Sequence, residues 1–254
     1  MKKWLKIIFL FVGAILVVSF AWFELFFWQG NNKSFEEQLK KAGEAGNLII
    51  VFNSGGFGTV HLDKAYDFRP IIEGTKQLAE NINYKVSVVS YYRTEESLLG
   101  KAAYLKEMIF NFPKESDYLA KELQKFSKEN PEYKIIMAGL SNGAGFADAT
   151  MEKITCCKNN IFAMEFGTPF WIKKQNSSNI IYFSNNGQDT FSRGNMGDLI
   201  WSVIKAPFKM VYSQLVGKPM RFSEAMDVPG HQYTWSEVGP QVAQFLNENL
   251  EISY

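Results

Sequence analysis

The sequence predicts an α/β fold with a mostly parallel central sheet and helices on both faces. Short apolar or β-branched segments recur along the chain, at residues 47–52, 84–91, 135–138, 160–166 and 180–184. Segments with helical periodicity separate most of these strands. Strands that alternate with helices pair in parallel, because each helix crosses over one face of the sheet. The chain has 254 residues, of which 46% are hydrophobic and 21% charged, so it can bury a large core.

The first part of the sequence predicts a membrane anchor. Three lysines within the first six residues precede an apolar run over residues 7–23, which residues 25–28 extend. About 20 apolar residues span a bilayer core as a helix. We interpret residues 1–29 as an N-terminal transmembrane helix, with the early lysines in the cytoplasm and the main domain extracytoplasmic. A cleaved signal peptide and a buried core helix are the alternatives.

The remaining elements follow in order. Residues 30–46 form a polar linker, in which Ser34 and Glu37 fit a capping box for a short helix over residues 35–42. The main domain extends over residues 47–254 and begins with the first strand. Its helices are expected at residues 69–82, 94–111 and 114–129, with a last helix that ends near Leu250.

One stretch carries the clearest functional signal. An apolar strand at residues 135–138 continues into the pentapeptide 139–143 (GLSNG) and then into small residues that suit a helix. A serine on a tight turn between a strand and a helix is the setting of a G-x-S-x-G nucleophile elbow. The glycines fit this interpretation, since strand and helix must approach closely around Ser141. An ordinary glycine-rich turn is the alternative.

A second glycine-rich loop, residues 53–58 (NSGGFG), directly follows the first buried strand. Its bare backbone N–H groups could hold a phosphate or an oxyanion. No G-K-[ST] sequence follows, and no dinucleotide-binding spacing is complete. We therefore favour an oxyanion loop, with a plain turn as the alternative.

A serine nucleophile needs a base, and the base needs an orienting acid. The chain has two histidines, of which His231 follows a Pro-Gly pair and precedes the last helix. From there it can reach the carboxyl edge of the sheet. Asp189, just after the strand at residues 180–184, is the preferred acid, and Glu165 is the alternative. Asp227 is interpreted as a residue that shapes the turn before His231.

These residues together resemble the α/β-hydrolase superfamily in its chain order of serine, acid and histidine. The resemblance rests on the pentapeptide 139–143, the loop 53–58, Asp189 and His231, and it covers about residues 48–250. It implies an α/β-hydrolase fold and the activity of a serine esterase or lipase. No metal and no cofactor is implied.

By this resemblance, Ser141 attacks an acyl carbonyl, His231 takes its proton, and Asp189 holds the imidazole tautomer. An acyl-enzyme forms, and water releases the acid.

The resemblance also implies an oxyanion hole, made of the N–H of Asn142 together with that of Gly55 or Gly56. The loop departs from the H-G-G-G-type motif of lipases and esterases. Asn53 stands where the family often has histidine, and Ser54 where it often has glycine.

An apolar insertion at about residues 194–217 bears on the substrate. It is interpreted as a cap over an acyl pocket or a surface resting on a bilayer, and a helix that covers the sheet is the alternative. Pro207 is expected to break or kink it. Together with the anchor, the insertion favours a lipid or other lipophilic ester as substrate. A net charge of +1 argues against nucleic acid as a partner.

Two other functions stay open at this point. The chain could be a catalytically inactive hydrolase-like binding module at the membrane, because fold alone does not fix function. It could also be an acyltransferase that uses the same triad with an alcohol in place of water.

Overall fold

The computed structural model describes most of the chain, at residues 34–94, 97–218, 220, 225 and 228–250. The membrane anchor predicted over residues 1–29 lies outside these residues. Within the described part of the chain, no helix has both the length and the apolarity needed to cross a membrane.

Five parallel strands form the central sheet, in the order β2-β1-β3-β4-β5. The strands are β1 Leu48–Asn53, β2 Val86–Ser90, β3 Lys134–Leu140, β4 Ile161–Phe166 and β5 Ile180–Phe183. β1 and β4 are buried along their whole length, as expected for a sheet covered on both faces. The predicted parallel α/β sheet is therefore confirmed.

The helices of the described residues are α1 at 34–45, α2 Arg69–Asn81, α3 Leu98–Ile109, α4 Pro113–Glu129, α5 Asn142–Lys153, α6 Thr190–Arg193, α7 Met196–Leu215 and α8 Trp235–Asn249. Short 3₁₀ turns lie at Leu62–Lys64 and Asn185–Gly187.

Alternate residues of the strands face two separate cores. In β1, Ile49 and Val51 pack with α1, α4 and α5, whereas Leu48, Ile50 and Phe52 pack with α2 and α8. Helices therefore cover both faces, as the sequence predicts, and the carboxyl ends of all five strands meet at one edge.

Two predicted helix starts are wrong. Ser34 is itself helical, and its hydroxyl accepts a hydrogen bond from the Gln38 side chain at 3.2 Å, so the helix at 34–45 is longer than the predicted 35–42. α3 begins at Leu98 rather than at residue 94, because the Ser97 hydroxyl caps it by accepting the Gly100 N–H at 2.9 Å. For α3, side-chain hydrogen bonding, which the apolar pattern does not report, sets the boundary.

Glu165 in β4 is the most deeply buried carboxyl group of the face that contacts α5. Its side chain is 0% exposed, and Oε2 accepts a hydrogen bond from the Thr168 hydroxyl at 3.0 Å. Within the described residues, Oε1 has no hydrogen-bond partner. Burial raises the pKa of Glu165 well above its usual value, and the nearby Asp148 carboxylate raises this pKa further.

We expect Glu165→Gln to flatten the pH dependence of stability. The pKa of this carboxyl is higher in the folded state than in the unfolded state, where it is about 4.3. Below pH ~4.3 the carboxyl is protonated in both states and the protein keeps its full stability. As the pH rises from there towards the folded-state pKa, the free energy of unfolding decreases. Above pH ~4.3, the free energy of unfolding of the wild type should fall relative to the variant by up to about 1.4 kcal/mol per pH unit. Urea unfolding of both proteins between about pH 5 and 8 measures this difference. Parallel curves would show that Glu165 ionises without cost in the fold.

Candidate active site

Ser141 occupies a strained turn between β3 and α5. Its φ of 55° and ψ of −122° are rarely adopted by residues with a side chain and cost about 1–3 kcal/mol. Gly139 and Gly143 make this turn possible, since a Cβ on Gly139 would lie 2.4 Å from the Gly143 carbonyl oxygen. The Ser141 N–H donates to the Phe166 carbonyl oxygen at 2.7 Å. The serine is therefore held at the carboxyl edge of the sheet, between β3 and β4.

The close packing of Gly143 brings the loop 53–58 to the serine. A Cβ on Gly143 would lie 2.3 Å from the Asn53 carbonyl oxygen, so the first turn of α5 touches the end of β1. A Cβ on Gly55 would lie 3.6 Å from Ser141 Cβ. β1 and β3 are also the neighbouring strands between which the strand order reverses, and open α/β sheets bind ligands at such a position.

Asn142 links the elbow to the same loop. Its side-chain amide donates to the Gly56 carbonyl oxygen at 3.3 Å. As the first residue of α5, Asn142 has a backbone N–H without an intrahelical acceptor. The residues expected to form the oxyanion hole therefore lie close together. Asn142 contacts Gly56, and Gly55 lies beside Ser141.

His231 and Asp189 form a hydrogen-bonded pair. His231 Nδ1 lies 3.1 Å from Asp189 Oδ1 and 3.0 Å from Oδ2. Asp189 is 0% exposed and caps α6, where its Oδ1 accepts the N–H groups of Phe191 at 2.8 Å and Ser192 at 3.2 Å. The Tyr233 hydroxyl donates to Oδ2 at 2.5 Å.

These contacts decide the protonation state of Asp189. Burial alone raises the pKa of this carboxyl, but the hydrogen bond and charge of His231 and the hydrogen bond from Tyr233 lower the pKa by more. The net pKa is below the usual value for aspartate. Asp189 is therefore ionised at neutral pH and can hold a proton on His231 Nδ1.

Gly167 connects the pair to the serine. Gly167 has a φ of +65°, and the His231–Asp189 pair packs directly against its Cα. A Cβ on Gly167 would lie 2.4 Å from His231 Cε1 and 2.8 Å from Asp189 Oδ2, so only glycine fits here. The residue before it, Phe166, accepts the Ser141 N–H. One dipeptide at the end of β4 thus contacts both the elbow and the His–Asp pair. Among the described residues, no hydrogen bond joins the Ser141 hydroxyl to His231.

The other candidate acids lie elsewhere. Glu165 contacts Thr168, on the α5 side of the sheet. A further carboxylate that was not a candidate, Asp148 of α5, accepts a hydrogen bond from the Tyr182 hydroxyl at 2.6 Å. Asp227 lies outside the described residues. The second histidine, His61, has its Nδ1 2.5 Å from the Tyr92 hydroxyl.

Two residues of the site, Tyr233 and Arg93, were not predicted from the sequence. Tyr233 has no motif around it, so nothing in the sequence indicates its contact with Asp189. Arg93 lies three residues after the end of β2, and this position at the carboxyl edge of the sheet was a usable signal. Its buried guanidinium donates to the backbone carbonyl oxygens of Ser54 and Asn142.

The apolar insertion forms α7, and its large side chains face outwards. Its buried side carries the small residues Ser202, Ala206 and Ser213. Its exposed side carries the large apolar residues Met196, Ile200, Trp201, Ile204, Phe208, Val211, Tyr212 and Leu215. We name these eight residues the apolar face of α7. A helix that merely covered the sheet would have the opposite arrangement.

Pro207 does not break α7, and the kink that was expected as the other outcome stays a prediction. The helix is continuous from Met196 to Leu215, with Pro207 on its exposed side. Water can hydrate the carbonyl group that loses its partner there, which reduces the cost of a proline inside a helix.

A row of aromatic rings leads from His231 to the surface. Ring centroids lie 5.0 Å apart for His231 and Phe191, 5.3 Å for Phe191 and Trp171, and 5.0 Å for Trp171 and Phe170. Phe170 and Trp171 are partly exposed, and Phe170 packs against Gly194, just before α7. The side of the site next to His231 is therefore apolar.

No protein-family profile and no curated protein matches this sequence. The structure is similar to that of a cutinase from Trichoderma reesei, solved in complex with a phosphonate inhibitor. The TM-score is 0.51 at 10% identity, over 88% of this chain and 92% of that chain. An acetylxylan esterase structure gives a TM-score of 0.45 at 12% identity, over 80% of this chain and 98% of that chain. The similarity to the cutinase confirms the α/β fold with a parallel sheet, which the two chains share.

Proposed function

We propose that the protein is a serine hydrolase of carboxylic esters, with Ser141 as nucleophile, His231 as general base and Asp189 as the acid that orients the histidine. The observation that carries this proposal is the strained Ser141, next to the Gly167 that contacts the His231–Asp189 pair. Strain of this kind persists only where the surrounding structure enforces it, and it is concentrated at functional sites. The fold shared with the cutinase supports the same proposal.

The reaction follows the acyl-enzyme route. His231 Nε2 takes the proton of Ser141 Oγ as this oxygen attacks the ester carbonyl. Asp189 stabilises the imidazolium that forms, and the leaving alcohol then receives its proton. A water molecule attacks the acyl-enzyme with His231 again as the base, which releases the acid and restores Ser141.

The oxyanion of both tetrahedral intermediates is stabilised by backbone N–H groups. In this proposal the donors are Asn142, at the start of α5, and Gly55 or Gly56, in the loop 53–58. Each such donor contributes on the order of 3 kcal/mol to transition-state stabilisation.

We propose a lipophilic ester as the substrate. The aromatic row from His231 to Phe170 and the apolar face of α7 place apolar surface next to the proposed site. Polar esters would gain nothing from such surroundings, whereas a long acyl chain would leave water on contact with them.

We also propose that the protein acts at a membrane, with the main domain extracytoplasmic. The apolar sequence of residues 1–29 supports an anchor, and Lys205 and Lys209 on α7 would suit anionic headgroups beside its apolar face. Protease treatment of intact cells tests the topology. Degradation of the main domain is expected, and its protection would contradict this orientation.

A series of p-nitrophenyl esters tests the activity and the substrate class together. We expect kcat/KM to rise on the order of 100-fold from the acetate to the octanoate. The six added methylenes would contribute about 0.8 kcal/mol each if fully buried, roughly 3,000-fold in total, and beside a partly exposed apolar surface they should contribute about half of that free energy. Phe208→Ser, on the apolar face of α7, should reduce hydrolysis of the octanoate and leave the acetate unchanged. Tyr66→Ser is the matched control, since both side chains are 74% exposed.

Each of the other results would point to a different function. A flat chain-length profile would contradict the lipophilic substrate but not the esterase. A folded wild type that cleaves none of the esters would favour the binding module. Ester formation with an added alcohol in preference to hydrolysis would identify an acyltransferase.

A further inference from the structure

The geometry points to Arg93 as the residue that positions the oxyanion hole. Its side chain is 2% exposed and lies beneath the elbow. Nη2 donates to the Ser54 carbonyl oxygen, and Nη1 donates to the Asn142 carbonyl oxygen at 2.8 Å. A single guanidinium thus joins the loop 53–58 to the start of α5, the two segments that supply the proposed donors. The inference rests on the proposed function and concerns a positioning residue, because Arg93 does not touch the reacting atoms.

The peptide plane explains how this contact acts. The carbonyl of Ser54 and the N–H of Gly55 belong to one planar trans peptide, so they point in opposite directions. A hydrogen bond that fixes the carbonyl therefore fixes the direction of the Gly55 N–H. The donor is charged, so it also polarises the peptide and strengthens the N–H as a donor to an oxyanion.

The guanidinium donates hydrogen bonds to these two carbonyls, although this position leaves one of its own N–H groups without an acceptor in the described part of the chain. Nη1 also donates to the Tyr104 hydroxyl at 2.8 Å, while the buried Nε has no hydrogen-bond partner among the described residues. Three aromatic rings hold the cation, with its Cζ 5.2 Å from the centroid of Tyr104, 5.8 Å from Phe112 and 5.5 Å from Phe146. Such a buried cation is costly, and a plain core contact would not require it.

Gly58 shows that the loop is built around this arginine. Gly58 has a φ of +71°, and a Cβ there would lie 2.6 Å from Arg93 Nε. The Arg93 N–H also donates to the Gly58 carbonyl oxygen at 3.1 Å. The last glycine of the NSGGFG sequence therefore leaves the space through which Arg93 reaches Ser54.

Arg93→Lys and Arg93→Met test the inference. Lysine keeps the charge but lacks the planar fork that donates to two carbonyls at once, and methionine keeps the approximate length without charge. We expect both variants to lower kcat about 10- to 100-fold and to change KM less than about 3-fold, because a misdirected N–H weakens binding of the transition state only. The pH at which kcat/KM falls on the acid side should not move, since His231 and Asp189 are untouched.

Lys101→Met is the matched control. Lys101 Nζ lies 5.7 Å from the ring centroid of Phe57 in the same loop, so it is a second cation beside this loop. We expect it to leave kcat unchanged. Measured unfolding midpoints separate a positioning role from a structural one, since a structural role would lower the midpoint without lowering kcat of the folded protein.

The outcomes separate this inference from the proposed function. An active wild type with Arg93 variants at full kcat would overturn the inference and leave the esterase intact. A wild type that neither cleaves esters nor reacts with a fluorophosphonate would overturn both. If neither Arg93 variant folds, Gly58→Ala tests the inference instead. Its methyl group would lie 2.6 Å from Arg93 Nε and must displace the guanidinium. A reduced kcat would support the inference, and an unchanged kcat would contradict it.

Discussion

Ser141→Ala is expected to lower kcat for ester hydrolysis by about 10⁵- to 10⁶-fold, with little change in stability. The loss is large because the variant has no Oγ to form an acyl-enzyme. Stability should change little, since alanine carries the same Cβ as serine and meets the same backbone strain at φ 55°. Initial rates on the preferred p-nitrophenyl ester measure kcat, and thermal unfolding measures stability.

Ser236→Ala, an exposed serine on α8, is the control for this substitution. It should keep wild-type kcat. A Ser141→Ala protein that retained more than about one-hundredth of the activity would show that another group is the nucleophile.

Asp189→Asn is expected to lower kcat about 10³- to 10⁴-fold near neutral pH. Asp189 Oδ1 accepts two backbone N–H groups, so the amide oxygen of an asparagine should take that position. The NH₂ group would then replace Oδ2 and donate to His231 Nδ1, 3.0 Å away. His231 would carry its proton on Nε2, where it cannot accept the proton of Ser141.

Tyr233→Phe is the matched variant for this prediction. It removes the hydrogen bond to the same Oδ2 but leaves the carboxylate in place. We expect it to lower kcat less than about 10-fold. Equal losses in the two variants would contradict the tautomer argument, because the Tyr233→Phe protein keeps a carboxylate that can accept the hydrogen bond from His231 Nδ1.

The sequence predicts the sheet and the elbow well because their signals are local. Apolar runs such as residues 47–52 identify buried strands, and Gly139 and Gly143 identify a turn too tight for side chains. Asp189 lies in the loop that follows its strand, so its position at the carboxyl edge of the sheet could be expected from the order of the chain. Parallel strands bring such residues together at one edge.

The features that the sequence does not predict depend on contacts between distant segments. Arg93 acts on Ser54 and Asn142, each about 40 to 50 positions away, and no spacing rule connects them. Tyr233 reaches Asp189 across 44 positions. The outward direction of the apolar face of α7 is likewise a matter of what the helix packs against, because hydrophobicity alone does not say which side is buried.

The most direct test of Ser141 as an activated nucleophile is covalent labelling with a fluorophosphonate, followed by peptide mass mapping. We expect one adduct per wild-type chain, on the peptide that contains Ser141, and no adduct on Ser141→Ala or His231→Ala. A folded wild type that stays unlabelled, or an adduct on any other serine, would contradict it.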